Sequence, residues 1–176
     1  MPPLHAGRHT FQRVSTFKYL GVQITESNDT LAEVRARKRC GMKAYFACKK
    51  SMRSKRSSIA TKMAIYKMVI LPTVLYACAT WNLKKGSSMA LTAFDNLMAR
   101  RMVGAVYNAE KDRYVLRSVE EARALTDHHP ILPRVRRALL KWAGHLARGS
   151  ATAGAGLGAL VPWCLGAAPR TPGCAK

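Results

Sequence analysis

Between Glu33 and Asp95 the chain carries fourteen Lys and Arg side chains and not one carboxylate. A stretch like that cannot neutralise itself. Its field must project into solvent or onto a phosphate backbone. Beyond Asp127 the chain is again free of acid. Over all 176 residues, 30 basic against 9 acidic side chains leave a formal charge of +21. Such an excess opposes compaction unless a polyanion is near, which points first to nucleic acid and second to an anionic membrane surface. Solubility alone needs far fewer charges. Hydrophobic residues make up 48%, enough for the core of one domain or of part of a larger one.

Several classes of protein fall away at once. The five cysteines, Cys40, Cys48, Cys78, Cys164 and Cys174, form an odd set without a CxxC pair or a short metal-ligand spacing. They read as neither a disulfide framework nor a zinc site, and favour a reducing compartment. The first ten residues, MPPLHAGRHT, lack the apolar core of a signal peptide. The longest uncharged apolar stretch, 68–83, contains Pro72 and is shorter than the ~20 residues that span a bilayer. The expectation is a soluble, intracellular protein, nuclear or cytoplasmic, neither secreted nor membrane-bound.

Hydrophobic periodicity predicts a mainly α chain with a small N-terminal β-hairpin. In 17–24, Leu20, Val22 and Ile24 alternate with Gly21 and Gln23, while Phe17 and Tyr19 take the opposite face. The expected hairpin pairs 11–14 with 17–24, with Gly21 marking a bulge or a close backbone approach. Asn28 to Thr30 can cap a helix from Leu31 to Met52. Its apolar face is Leu31, Val34, Gly41, Tyr45, Cys48 and Met52, interrupted by Lys38, with Arg35, Arg39, Lys43, Lys49 and Lys50 opposite.

After the basic linker RSKRSS (53–58), Ser57 or Ser58 caps a helix burying Ile59, Met63, Tyr66 and Ile70. Pro72 kinks or ends it, and 73–81 continues as a buried helical segment. Ser87 or Ser88 opens a third helix on Leu91, Phe94, Met98 and Met102, ended by Gly104. The sequence SVEE from Ser118 is a capping box for a short helix to Thr126. The last helix, from Ile131 to Arg148, sets Val135, Leu139, Trp142 and Leu146 beside a basic stripe of Arg134, Arg137, Lys141, His145 and Arg148. From residue 149 onward, six of the twelve glycines and seven alanines read as a disordered tail.

The order of these segments resembles the C-terminal part of reverse transcriptases of non-LTR retrotransposons, the endonuclease–reverse transcriptase type. FKYLGVQI (17–24) is similar to the family's F-x-Y-L-G primer-grip hairpin at the palm edge. TKMAIYKMVILPTVLYACATW (61–81) is similar to its TK…Y…P…LYG…W thumb segment, with Ala77 where the family has glycine. Residues 91–104 resemble the following L…F…LR…G helix, and LLKWAGHLAR (139–148) the RLxWxGHxxR ending. Each piece alone is weak; together, in this order, they are specific.

The resemblance implies a disordered N-terminus (1–10) and a palm-edge hairpin (11–27). After these come a thumb-like helical bundle (28–127), a connecting basic helix (128–148) and a tail (149–176). It implies a primer-grip role for Phe17, Tyr19, Leu20 and Gly21. The partner it implies is an RNA–DNA or RNA template–primer duplex, held through its phosphates without reading sequence. The side chains expected to touch that duplex are Arg35, Arg39, Lys43, Lys49, Lys50, Arg53, Lys55, Arg56, Lys62, Arg134, Arg137, Lys141 and Arg148.

The family's paired metal-binding carboxylates are missing. The only adjacent acids, Glu120 and Glu121, belong to a helix start, and Asp29, Asp95 and Asp112 stand apart. No catalytic or metal residue is therefore expected. No cofactor is expected either, since Mg2+ would belong to a full-length polymerase whose palm and endonuclease domains lie elsewhere. Tyr66, Tyr76 and Trp81 read as core, and His128, His129 and His145 as capped or surface imidazoles. Two rival readings are a decayed element copy without activity and a basic amphipathic protein at anionic membranes.

Overall fold

The computed structural model describes residues 4–12, 14–27 and 29–153. The chain is mainly α. Among the described residues, three two-stranded antiparallel hairpins accompany the helices, and none of them joins another. The tail beyond residue 153 lies outside the described residues, as does the expectation attached to it.

β1 (Leu4–Ala6) pairs with β2 (His9–Phe11), so structure begins inside the stretch read as disordered. β3 (Thr16–Tyr19) pairs with β4 (Val22–Thr25), placing Phe17 opposite Ile24 and Tyr19 opposite Val22. This corrects the expected pairing of 11–14 with 17–24, because the chain reverses within 17–24 itself. Leu20 and Gly21 form the reversal with φ of +46 and +82. Positive φ at both central residues matches the right-handed twist of the flanking strands, and Gly21 serves the turn rather than a bulge.

α1 (Leu31–Ala47) and α2 (Lys49–Arg53) replace the single helix expected to Met52; they break at Cys48. Asp29 Oδ1 accepts the Leu31 N–H, while Thr30 Oγ1 donates to the Asn82 carbonyl instead of capping. α1 buries Val34, Gly41 and Tyr45, the face that the spacing predicts. A methyl group on Gly41 would overlap Val74 Cγ2 and lie 3.0 Å from Phe94 Cζ, so only glycine lets three helices meet there.

Ser58 caps α3 (Ile59–Ile65) by accepting the Thr61 N–H. A π-helical turn, Tyr66–Ile70, then leads into α4 (Leu71–Val74). The Leu71 N–H reaches back to the Tyr66 carbonyl, a wider turn directly before Pro72, which has no N–H to give. The helix does not continue through 73–81. Ala77 adopts φ +58, and a 3-10 turn at Cys78–Thr80 follows.

α5 (Lys85–Val103) starts ahead of the predicted serines and ends at Gly104, φ +78. β5 (Ala105–Asn108) and β6 (Arg113–Leu116) form an unanticipated hairpin. The capping box is present at α6 (Val119–Thr126), with Ser118 Oγ accepting the Glu121 N–H and Glu121 accepting the Ser118 N–H. α7 (Ile131–Ala153) closes the described chain.

The helices converge on one core that includes Val34, Tyr45, Tyr66, Ile70, Val74, Trp81, Leu91, Phe94, Met98, Met102, Ile131 and Val135. No helix among the described residues is long and apolar enough to cross a membrane.

Candidate nucleic-acid interface

At 3.6 residues per turn, Arg35, Arg39, Lys43 and Phe46 share a sector of roughly 80° on α1, turned away from the buried face. All four side chains are exposed. The break at Cys48 carries the chain into Lys49, Lys50 and Arg53, which with Phe46, Ala47 and Ser54 line an open cleft of about 560 Å³. Lys55 and Arg56 follow, also exposed. Among the described residues none of these cations forms an ion pair. On α7, Arg134, Arg137, Lys141 and Arg148 make a second exposed stripe, within roughly 60°. Val135 and Ala143 of the same helix are buried.

Lys62 stands apart from both groups. It is 9% exposed, and its Nζ donates to the Met102 carbonyl at 3.2 Å, at the C-terminal end of α5. A cation there satisfies a helix-end carbonyl, so Lys62 belongs to the packing rather than to an outward surface.

The β3–β4 turn is held from below. Arg37 Nη2 donates to the Gly21 carbonyl at 2.5 Å, and the Tyr76 hydroxyl donates to the Leu20 carbonyl at 3.1 Å. The Arg37 guanidinium lies 4.4 Å over the Tyr76 ring. Its Nε also donates to Glu33 Oε1 at 2.6 Å, while Glu33 Oε2 accepts the Gln23 N–H of β4 at 2.7 Å. Glu33 is 2% exposed. Helix α1 thereby fixes the turn's position, leaving Phe17, Tyr19 and Leu20 open to solvent.

Tyr76, read as core, is half exposed because it reaches the turn; Tyr66 and Trp81 are buried as expected. Reasoning from sequence missed Glu33, Arg37 and Tyr76. The available signal was the Glu33–Arg37 spacing of four, which pairs opposite charges along a helix.

A second polar knot lies in the core. Asp95 accepts hydrogen bonds from the Tyr66 hydroxyl (2.7 Å), Arg123 Nη2 (2.9 Å), His128 Nε2 (2.6 Å) and the Ile131 N–H (3.1 Å), and has no solvent exposure. Burial, and then the neighbouring Asp95 carboxylate, push the Tyr66 phenol well above its ordinary range. An Asp–His pair is the orienting half of a nucleophile-activating array. Here no nucleophile completes it: His128 Nδ1 is buried without a hydrogen-bond partner, and the Tyr66 hydroxyl bonds to Asp95 instead. The knot ties the π turn, α5, α6 and the start of α7 together.

With Asp95 and Glu33 taken up by their donors, neither suits a divalent ion. Among the described residues no three His, Cys, Asp or Glu side chains are grouped to hold one. His145 stays on the surface, its ring edge-on to Trp142.

No family profile matches the chain, and no solved structure does. Over 135 residues it is 27% identical to a Caenorhabditis elegans protein described as transposon-derived. That match covers 77% of this chain and 47% of the relative, so the chain spans about half the relative's length. The likeness supports an origin in a transposable element.

Proposed function

We propose that this chain is the nucleic-acid-gripping part of a transposable-element reverse transcriptase, binding a template–primer duplex by its phosphates while the chemistry takes place in domains outside it. One observation carries the reading. Arg35, Arg39 and Lys43 run in register along one face of α1 and lead past Cys48 to the open basic surface of Lys49, Lys50 and Arg53, none of them ion-paired among the described residues. Evenly spaced positive charge without partners suits a regular array of phosphates, and contacts of this kind need no base recognition.

The β3–β4 turn adds support. A leucine at φ +46 is strained backbone, and at its tip the side chain is 74% exposed. Strain maintained by Arg37 and Tyr76 fits a loop whose placement matters, as positioning a primer end requires.

The test is the salt dependence of binding to an RNA–DNA hybrid, followed by fluorescence anisotropy. About six phosphate contacts give a slope of log K against log salt near −5. Replacing Lys49, Arg53, Lys55 and Arg56 by Glu abolishes binding and leaves the circular-dichroism spectrum unchanged. A slope near zero, or undiminished affinity in the quadruple variant, refutes the reading.

A further inference from the structure

Phe46 sets an apolar ring into the basic face of α1. A large apolar ring, 53% exposed, stands in line with Arg35, Arg39 and Lys43 and forms one wall of the cleft whose other walls include Lys49, Lys50 and Arg53. Exposed single apolar residues are ordinary on protein surfaces. This one is held, and it stands beside cations unpaired among the described residues. Its ring sits edge-on to the buried Tyr45, with centroids 5.5 Å apart and planes at 72°. The Arg101 guanidinium lies 4.8 Å over Tyr45 and 5.9 Å from Phe46. The orientation of the ring is thus set by neighbours that leave more than half of it uncovered.

We infer that Phe46 is a stacking platform for an unpaired nucleobase, and that the cleft takes single-stranded nucleic acid, its backbone neutralised by Lys49, Lys50 and Arg53. The inference rests on the proposed nucleic-acid reading and adds a ligand class to it. Charge selects this occupant. The cleft has no acid in its lining, and the sequence has none between Glu33 and Asp95. An apolar peptide would have to desolvate three ammonium and guanidinium groups without compensation, whereas a nucleotide offers a flat π face to the ring and an anion to the cations. The residues lining the cleft straddle the junction of α1 and α2 at Cys48.

The experiment compares the full chain with Phe46→Ala, Phe46→Leu and Phe46→Trp. The probes are a fluorescein-labelled twenty-nucleotide oligo(dT) and a blunt RNA–DNA hybrid of equal length, at fixed salt. Stacking predicts that Phe46→Ala loses on the order of tenfold in affinity for oligo(dT) and far less for the hybrid. Phe46→Leu, apolar but not aromatic, should stay weak, and Phe46→Trp should restore binding. If Phe46→Ala keeps its affinity for oligo(dT), or Phe46→Leu matches the parent chain, the inference is wrong, even with normal binding of the hybrid. If the parent chain binds neither probe, the broader nucleic-acid reading fails with it.

Discussion

Tyr66 sits where the helix is widened, and its hydroxyl lies 2.7 Å from a carboxylate that never meets water. The folded chain keeps this phenolic proton at a pH where the unfolded chain, with an ordinary value of 10.0, gives it up. The folded pKa is the raised one, so the contribution to stability is complete below pH 10.0 and declines as pH climbs beyond it. Urea titrations from pH 8 to 11 should show that decline in the parent chain and a flatter curve in Tyr66→Phe, itself less stable at neutral pH by about 1–3 kcal/mol.

Ala77 presents the opposite case, a residue poorly matched to its backbone. Its φ of +58 lies where glycine is at ease and a Cβ is crowded, and the family resemblance places glycine at this position. Ala77→Gly is expected to gain about 0.5–1 kcal/mol, read as a higher thermal midpoint. Asp95 was invisible as a centre in the sequence because its four partners stand 28, 29, 33 and 36 residues away. Periodicity reports only neighbours along one element.

Among the elements, the legible ones were those specified locally. The Ser118 capping box declares itself within four residues, and the faces of α1 and α5 follow from spacing alone; on α7 the spacing finds Val135, but Trp142, read into the same stripe, is exposed and Ala143 is buried in its stead. The hairpins were harder. A Leu-Gly reversal lacks the Asn-Gly or Asp-Gly chemistry that announces a two-residue turn, so β3 and β4 merged into one apparent strand. The loop between β5 and β6 holds neither glycine nor proline. The break at Cys48 has no breaker residue either.

Since α1 holds the β3–β4 hairpin through Arg37, the hairpin should be separable from the core. In Arg37→Ala, amide exchange across 16–25 is expected to accelerate toward that of an unstructured peptide, while α5 stays protected. Equal acceleration in both would show that hairpin and helices unfold as one unit.

At the level of the whole molecule, charge and packing answer to different parts of the chain. The core uses the apolar faces, and most of the cations named as phosphate contacts stand outside it. The direction of those cations was legible from the sequence. The cleft they line with Phe46 was not, because it spans the junction of α1 and α2, which no breaker residue marks. Lys62 shows the limit of counting charge, since a basic residue on a helix can also serve the interior.

The hairpins carry one more consequence. Among the described residues β3 has a strand on one side only, and Phe17, Tyr19 and Ile24 of this pair are half uncovered. Such a border invites a stranger's strand, and the formal charge of +21 opposes the approach of a second copy. Added sodium chloride screens that repulsion, so light scattering by the purified polypeptide should climb with ionic strength, and short heparin at low salt should seed clumping near charge balance and disperse it in excess. The same ions that release a polyanion would then glue the protein to itself, making the cargo double as a solubiliser.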